Sequence, residues 1–289
     1  MLTAIQKELE REKSFKNMQV SLPKDMAELA KVFETGGAEV KFSVEQNSDI
    51  TIDAGTFFGM INVNKCRMYE YKNYGAGQTV WAKLANLTGQ MLAGKNAVIA
   101  GYGATGKDIA QVAVALGARV VITETNPVKA LEAILEGFDV LGMDEAARYG
   151  DIFVTATDSE KVISEQDFMA MKNGAVLYNT EISGNAIDLE CLEENYIEKE
   201  SSENGITEYE LLNGRCLKVI ASECVLLPAE MTELDYAVLL LAFKKFADKL
   251  VDDKTIGSEI SFLEIPEATI AEARKEVAKR KLRMLGCRN

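Results

Sequence analysis

The residues whose types and spacing could do chemistry are three glycines and, further along the chain, one carboxylate. They lie in the span NAVIAGYGATGKDIAQVAVALGARVVITE, residues 96–124. Gly101, Gly103 and Gly106 form a G-x-G-x-x-G motif after a short apolar run, and Glu124 follows the next apolar run. This order predicts a strand, a glycine turn, a helix, a second strand and an acid, which together make one βαβ unit. In that context the motif indicates binding of a dinucleotide.

Each of these residues has its own physical role in such a unit. Gly101 permits the tight turn, Gly103 lets the backbone approach a pyrophosphate, and Gly106 lets the helix pack closely on the strand. The N-terminus of the helix then presents N–H groups and a positive dipole to the pyrophosphate. Glu124 can accept hydrogen bonds from both ribose hydroxyls, which favours NAD over NADP, and Lys129 softens that preference. A glycine turn in a nucleotide-free α/β protein is the alternative interpretation.

Further cofactor contacts are expected at the carboxyl ends of the parallel strands, where ligands of doubly wound sheets gather. Strands are predicted over residues 152–155 and 175–179, and polar residues follow both of them. The expected cofactor-binding residues are Gly101, Gly103, Ala104, Thr105, Gly106, Glu124, Thr125, Asn126, Lys129, Thr155, Ala156, Thr157, Asn179 and Thr180.

Alternating apolar strands and amphipathic helices predict an α/β protein with a doubly wound parallel sheet. This Rossmann NAD-binding domain is expected over residues 78–230, beginning with a helix over 78–93. Residues 1–77 predict a second, smaller α/β lobe without a glycine motif, and residues 231–289 are expected to pack on it or on a partner subunit. The acidic span 189–209 is interpreted as a solvated surface.

A very apolar helix is predicted over residues 234–251. Apolar residues cover so much of its surface that we expect burial between domains or between subunits. A homodimer or higher homo-oligomer follows from this interpretation. A final, charged helix is predicted over residues 267–285 and is expected to contact a partner subunit.

Composition excludes several classes of protein. The 289-residue chain has a net charge of −13, so it repels phosphate backbones, and nucleic acid is not an expected partner. Its longest apolar run, residues 237–243, is far too short to span a membrane. It has no histidine, which removes histidine bases and histidine ligands, and no metal site is expected. With no C-x-x-C pair and no apolar leader, a cytoplasmic setting is expected.

The span around the glycine motif resembles the S-adenosylhomocysteine hydrolase family. The similar segments are GYGATGK and GARVVITETNP, then EGFDVLGMDEA, GDIFVTAT and MKNGAVLYN. The resemblance is dense over residues 74–190 and thin elsewhere. It implies bound NAD as cofactor, oxidation of a carbon of a small-molecule substrate, and a homo-oligomer.

Departures from this family fall on its catalytic residues. Its lysine, aspartate and asparagine before the hinge helix have no convincing match in residues 67–73. Its Gly-His is replaced by Glu181-Ile182, its later asparagine near the nicotinamide aligns with Lys218, and its second active-site histidine aligns with Val225. Because the chain contains no histidine, the family's acid–base scheme cannot operate, and hydrolase activity is not expected.

Three functions are weighed against one another. The favoured one is an NAD-dependent dehydrogenase or reductase that transfers a hydride to or from a small polar metabolite. Lys218 is its first candidate for the acid/base or carbonyl-polarising group, and Glu181 is the second. A surface lysine at a strand end is the alternative for Lys218. The second function is a catalytically degenerate NAD(H)-binding regulatory or scaffold protein, and the third is a surviving hydrolase.

Overall fold

The structure is a computed structural model that describes most of the chain, in two compact units. Unit 1 comprises Met1–Glu70 and Ala229–Asn289, and unit 2 comprises Tyr71–Pro228. No helix among the described residues is long and apolar enough to cross a membrane. The described residues are 2–16, 18–22, 27–42, 49–53, 57–62, 68, 74–157, 159–180, 185–202, 205–220, 229–252 and 261–287.

The helices and strands of the described residues alternate along most of the chain. In chain order they are α1 (Leu2–Glu12), β1 (Gln19–Leu22), α2 (Ala27–Thr35), β2 (Glu39–Phe42), β3 (Asp49–Asp53), β4 (Phe57–Asn62), α3 (Ala76–Thr88), β5 (Asn96–Ala100), α4 (Ala104–Ala115), β6 (Arg119–Thr123), α5 (Pro127–Leu135), β7 (Asp139–Val140), α6 (Met143–Ala146), β8 (Ile152–Thr155), α7 (Glu165–Ala170), β9 (Ala175–Asn179), α8 (Leu189–Glu194), β10 (Tyr196–Ser201), β11 (Ile206–Leu211), β12 (Cys216–Ile220), α9 (Ala229–Asp252), β13 (Ser261–Glu264) and α10 (Glu267–Met284).

Unit 1 is a mixed sheet with helices packed on it. Among its described residues the sheet has five strands in the order β13-β4-β3-β1-β2. Strand β3 is antiparallel to both of its neighbours, whereas β1 pairs with β2 and β13 with β4 in parallel. The strand pairs therefore join the beginning of the chain to its C-terminal part.

Helix α9 lies at the centre of the unit 1 core. Its seven consecutive residues 237–243 are each at most 3% exposed. The ring of Phe243 lies 4.7 Å from that of Phe33 and 5.5 Å from that of Phe15, measured between centroids. The same core includes apolar residues of α1 and α10. The core of unit 1 therefore accounts for the apolar surface of α9, and a contact of this helix with a second domain or a partner subunit stays a prediction. The homodimer stays a prediction without this support.

Unit 2 is built on a doubly wound, mostly parallel sheet, so the predicted fold class is confirmed. Its described residues form eight strands in the order β10-β11-β12-β9-β8-β5-β6-β7. The six strands from β12 to β7 are parallel, and β10 and β11 add an antiparallel edge. Helices α3, α4 and α5 contribute to the core on one face, and α6, α7 and α8 to the core on the other. From β5 the strands are added outward on one side through β6 to β7, and from β8 they are added on the other side through β9 to β12. Ligands of such sheets bind beyond the carboxyl ends of the strands at this switch point.

The predicted helix over residues 78–93 is shorter than the pattern indicated. Helix α3 stops at Thr88 because Gly89 adopts a left-handed conformation with φ of 64° and its N–H bonds the Ala85 carbonyl. Two contacts fasten α3 to α4. The indole N–H of Trp81 donates to the carbonyl of Ile109 at 2.9 Å. The N–H of Gly77 donates to the buried carboxylate of Asp108 at 2.9 Å.

The interpretation of residues 189–209 as a solvated surface was only half right. Strand β10, at the edge of the sheet, is exposed along most of its length. Strand β11 is its hydrogen-bonded neighbour, and it buries Tyr209 and Leu211 in the core. The many glutamates concealed this alternation, because one face of an antiparallel edge can be polar while the other packs on the core.

Candidate dinucleotide site

The glycine motif connects β5 to α4, next to the point between β5 and β8 where the strand order reverses. Gly101 has a φ of 100°, which glycine adopts readily and other residues rarely do. A Cβ at Gly101 would clash with the carbonyl oxygen of Ala156, and a Cβ at Gly106 would clash with the carbonyl oxygen of Gly101. The turn and the start of the helix therefore approach each other so closely that both positions exclude a side chain.

Gly103 is the open position of the loop. It has an ordinary φ of −82° and forms the N-cap of α4, and among the described residues no side chain caps this helix. Among the described residues, a Cβ at Gly103 would have only the Lys129 ammonium nitrogen within 4 Å, at 4.0 Å. Ala104 and Thr105 follow as the first, half-buried residues of the helix. The absence of a side chain at Gly103 leaves a cradle beside the helix N-terminus, where an anion is favoured.

The Glu124 carboxylate lies directly after β6 and is held by two backbone groups. One oxygen accepts a hydrogen bond from the N–H of Tyr102 at 2.7 Å, and the other accepts from the N–H of Asn126 at 2.8 Å. Each carboxylate oxygen has a second acceptor position. The carboxylate is therefore oriented in advance beside the glycine loop and still has capacity for a hydroxyl donor.

The start of helix α5 fixes the next group of predicted cofactor residues. The side-chain oxygen of Asn126 caps the helix by accepting from the N–H groups of Val128 at 2.9 Å and Lys129 at 3.3 Å. Thr125 is exposed, and so is Lys129, whose ammonium lies near Gly103 as described. The structure thus gives Asn126 a role in the helix cap and brings Lys129 to the open side of the glycine loop.

The polar residues at the ends of β8 and β9 are bonded to one another. Thr155 and Asn179 are opposite each other in the parallel pair, and the Thr155 hydroxyl donates to the Asn179 side-chain oxygen at 2.7 Å. The Thr180 hydroxyl donates to the Thr155 carbonyl at 2.8 Å. All three residues are buried. Ala156 backs the glycine turn, and the half-buried Thr157 accepts from the N–H of Ser159 at 3.2 Å.

The two predicted catalytic residues lie differently from this set. Lys218 is opposite Val176 in the pair of β12 with β9, two residues before the end of its strand. Its ammonium forms an ion pair of 2.6 Å with Glu208 on the neighbouring strand β11. Glu181 lies outside the described residues. The predicted cofactor residues at strand ends therefore lie at the carboxyl ends of the parallel strands, whereas Lys218 lies two residues before the end of its strand.

Sequence analysis missed Tyr102, which lies inside the glycine loop. Its side chain is fully buried, its hydroxyl donates to Glu136 at 2.7 Å, and its ring centroid lies 5.7 Å from that of Phe138. Burial raises the pKa of its hydroxyl well above the ordinary value, and the neighbouring Glu136 carboxylate raises it further. The available signal was the aromatic residue in the sequence GYG, since a large side chain in a tight loop needs a place to pack.

Comparison with known proteins decides the family. A family model described as "S-adenosyl-L-homocysteine hydrolase, NAD binding domain" matches residues 72–230, which is more than half of the chain. The protein belongs to this family. The resemblance inferred from the motifs is therefore confirmed, and unit 2 is an NAD-binding domain.

Curated members of the S-adenosyl-L-homocysteine hydrolase family match the same part of the chain. An adenosylhomocysteinase of Thermotoga maritima is 38% identical over 192 residues, which are 63% of this chain and 48% of that protein. An S-inosyl-L-homocysteine hydrolase of Methanosarcina mazei is 35% identical over 190 residues, covering 64% of this chain and 46% of that protein. The chain spans about half the length of these relatives. Among solved structures, the A chain of dipicolinate synthase from Bacillus subtilis aligns with a TM-score of 0.49 and 13% identity over 86% of this chain and 70% of that chain.

The residues at the carboxyl ends of β5 and β6 fit NAD. The space at Gly103 is open to a pyrophosphate, since among the described residues a Cβ there would meet only the flexible end of Lys129, at 4.0 Å. The α4 N-terminus faces that cradle, and Glu124 lies at the end of β6 with its carboxylate already oriented. These are the two recognition elements that a dinucleotide with an unphosphorylated 2′-hydroxyl requires.

Proposed function

We propose that the protein is an NAD-dependent oxidoreductase that transfers a hydride to or from a small polar metabolite. One observation carries this proposal: the open glycine cradle and the oriented Glu124 carboxylate lie together beside the point where the strand order of the sheet reverses. Bound NAD would accept the hydride when the metabolite is oxidised, and bound NADH would donate it when the metabolite is reduced. The family match to an NAD-binding domain supports the same cofactor.

Each element of the site has a proposed task in binding. The backbone at Gly103 and the start of α4 would bind the pyrophosphate, and Glu124 would accept from the ribose hydroxyls. Lys129, near Gly103, would add a positive charge on the open side of the loop. The bonded cluster of Thr155 and Asn179 would form a buried wall at the other half of the site, because its hydroxyl and amide oxygen already satisfy each other.

Hydrolase activity is not part of the proposal. The two relatives described above are an adenosylhomocysteinase and an S-inosyl-L-homocysteine hydrolase, and their activity is not carried over to this chain. It also has no histidine with which to move a proton near neutral pH. Release of homocysteine from S-adenosylhomocysteine by the pure protein would contradict this part of the proposal.

Lys218 is the proposed acid/base or carbonyl-polarising group, and Glu181 is the second candidate. For this role the Lys218 ammonium must leave its ion pair with Glu208, which is a partly exposed pair and therefore weak. Lys218→Ala is expected to lower turnover about 100-fold or more, as loss of a general acid does. Lys199→Ala is the matched control, because Lys199 is also a strand lysine paired with a glutamate, Glu193. Equal turnover of both variants would overturn the assignment.

The first experiment is calorimetric titration of the pure protein with NAD, NADH and NADP, after mass spectrometry has shown whether cofactor co-purifies. We expect reversible binding of NAD and NADH and much weaker binding of NADP. Glu124→Ala is expected to reduce this preference by about ten-fold or more, since the carboxylate repels a 2′-phosphate. A preference that survives the substitution would show that another group selects the cofactor.

A regulatory or scaffold protein that binds NAD(H) without turnover is the second candidate. It is favoured by the position of Lys218 in an ion pair with Glu208, since the proposed proton donor is engaged elsewhere. A screen of small polar metabolites, followed by the absorbance of NADH, separates the two functions. One verified turnover would exclude the binding protein, and none across the screen would favour it.

A cytoplasmic homodimer or higher homo-oligomer completes the proposal. Among the described residues, the cysteines 191, 216 and 287 are free thiols, as a reducing setting permits. Sedimentation of the pure protein tests the oligomer, and a monomer at all concentrations would contradict it.

A further inference from the structure

We propose that Tyr102 is a positioning residue for NAD, whose side chain fastens the glycine loop to the end of helix α5 through Glu136. The inference rests on NAD binding by unit 2 and is independent of the proposed hydride transfer. Tyr102 need not touch the cofactor. Its backbone belongs to the loop that binds the pyrophosphate, and its side chain points into the protein, where it is fully buried.

Tyr102 is held at three separate points. Its N–H donates to Glu124 at 2.7 Å, and its hydroxyl donates to Glu136 at 2.7 Å. Its ring packs at an edge against Phe138, with centroids 5.7 Å apart. Glu124 and Glu136 flank helix α5 on its two ends. One residue of the glycine loop is therefore connected to both the beginning and the end of α5.

Helices α4 and α5 are joined around this tyrosine. The ammonium of Lys107 lies 5.5 Å from the Tyr102 ring centroid and forms an ion pair with Glu132 on α5. The side-chain amide of Gln111 donates to Glu136 at 3.3 Å, on the same oxygen that accepts from Tyr102. The Tyr102 hydroxyl is thus the part of this network that belongs to the loop itself, while Lys107 and Gln111 belong to the helix that follows.

This arrangement matters for binding because the open position, Gly103, is the next residue along the chain. A loop that is already fixed loses less conformational freedom when it binds a pyrophosphate than a loop that moves. The contacts of the buried Tyr102 side chain therefore hold the Gly103 backbone in position without adding any atom to the cradle. The alternative is that Tyr102 only fills the core, in which case loss of its hydroxyl would change stability and leave NAD affinity unchanged.

The test is a set of four variants and a control, each titrated with NAD by calorimetry at a temperature where all are folded. Tyr102→Phe keeps the ring and removes the hydroxyl, and Glu136→Ala removes its acceptor. Each is expected to raise the Kd for NAD about ten-fold, which corresponds to about 1.4 kcal/mol. The double variant is expected to be no weaker than either single one, because both remove the same bond.

Glu136→Gln is the conservative variant that separates positioning from charge. Its amide oxygen can still accept from the Tyr102 hydroxyl, so NAD affinity is expected to stay within about three-fold of the unsubstituted protein. Tyr149→Phe is the matched control, since Tyr149 is an exposed tyrosine of the same unit, and it is expected to change nothing. Hydrogen exchange of the NAD-free protein gives a second readout, in which the amides of residues 102–106 exchange faster in Tyr102→Phe.

The outcomes are distinguishable. Unchanged NAD affinity in Tyr102→Phe, with NAD binding intact in the unsubstituted protein, would overturn the role of Tyr102 and leave the proposed function untouched. Additive effects in the double variant would overturn it as well. Absence of NAD binding by the unsubstituted protein would overturn this inference and the proposed function together. If Tyr102→Phe binds NAD more weakly, the inference is supported even when no metabolite is turned over, because the calorimetric affinity is measured without any substrate.

Discussion

The two halves of the proposed NAD site are built by opposite means. The glycine half consists of β5, β6, α4 and α5, and it offers backbone groups and one carboxylate that are still able to bind. The threonine half consists of β8 and β9, where the Thr155 hydroxyl donates to the Asn179 side-chain oxygen and the Thr180 hydroxyl donates to the Thr155 carbonyl. One half of the site thus offers backbone groups and a carboxylate to a ligand, whereas in the other the two threonine hydroxyls and the Asn179 side-chain oxygen are already hydrogen-bonded.

This difference has a physical reason. A pyrophosphate carries charge, and N–H groups at a helix N-terminus can bind it without any side chain, so the glycine half must be empty to work. A buried hydroxyl or amide must have a partner, since an unsatisfied one costs about 1–3 kcal/mol. The Thr155 hydroxyl and the Asn179 side-chain oxygen meet this requirement with each other, which fixes the ends of two strands.

The largest effects are expected from substitutions in the glycine loop. Gly106→Ala places a Cβ against the carbonyl oxygen of Gly101, which is backbone and cannot rotate away. We expect it to lower the free energy of unfolding by about 3 kcal/mol, the upper end of ordinary overpacking, and to abolish NAD binding. Urea unfolding and calorimetry with NAD measure the two quantities.

Gly103→Ala is the matched variant that separates an effect on NAD binding from an effect on stability. Its Cβ would have only the flexible end of Lys129 within 4 Å, and its φ of −82° suits alanine. We expect a stability change below about 1 kcal/mol, as for other substitutions at an N-cap glycine, together with loss of NAD affinity. If Gly103→Ala bound NAD as tightly as the unsubstituted protein, the cradle would not be the pyrophosphate site.

In the threonine half, the expected effect is on stability. Thr155→Val removes the hydroxyl that donates to Asn179 and leaves that buried amide oxygen without it. We expect the free energy of unfolding to fall by about 2 kcal/mol. Thr123→Val is the control, because the buried Thr123 hydroxyl has no hydrogen-bond partner among the described residues, and it is expected to be neutral or stabilising. Equal losses of unfolding free energy in both variants would mean that the change of side-chain shape, and not the loss of the hydrogen bond, lowers the stability.

The two halves also differ in how far the sequence could predict them. The glycine roles follow from local rules, since a turn and a helix start depend on neighbouring residues, and the positions of Gly101, Gly103 and Gly106 agree with those rules. The bond between Thr155 and Asn179 joins residues 24 positions apart. The sequence predicts that each follows a strand, but the parallel register that sets them opposite each other depends on the whole sheet.

Unit 1 shows the same limit on a larger scale. The apolar cover of α9 was visible in the sequence, but its partners were not. Phe15, Phe33 and Phe243 meet in one aromatic cluster although they are far apart along the chain. Periodicity shows which residues are buried and carries no information on which elements bury them. The sequence therefore predicted that α9 is buried, but not that unit 1 itself supplies the residues that bury it.

The Tyr102 hydroxyl predicts a pH dependence of stability in the glycine half. Burial, with the adjacent Glu136, raises its pKa in the folded protein, so the unfolded chain ionises this tyrosine first. The stabilisation is fully present below the ordinary tyrosine pKa of about 10 and is lost as the pH rises above it. We expect the unsubstituted protein to exceed Tyr102→Phe by about 1.5 kcal/mol at pH 8, and by progressively less above pH 10. Urea unfolding of both proteins between pH 8 and pH 11 measures the difference, and a constant difference would contradict it.

The smallest effect is expected at the ion pair of Lys218 with Glu208, next to the threonine half. The two side chains are 32% and 47% exposed, so solvent and salt screen their attraction. Lys218→Ala is therefore expected to lower the free energy of unfolding by less than about 1 kcal/mol, and less still in 0.5 M salt. Glu208→Gln keeps the lysine and removes its partner. If Lys218 is the catalytic group, Glu208→Gln is expected to retain turnover while Lys218→Ala loses it, whereas a purely structural pair would make both variants alike. This comparison separates a lysine that serves the site from one that only joins β11 to β12.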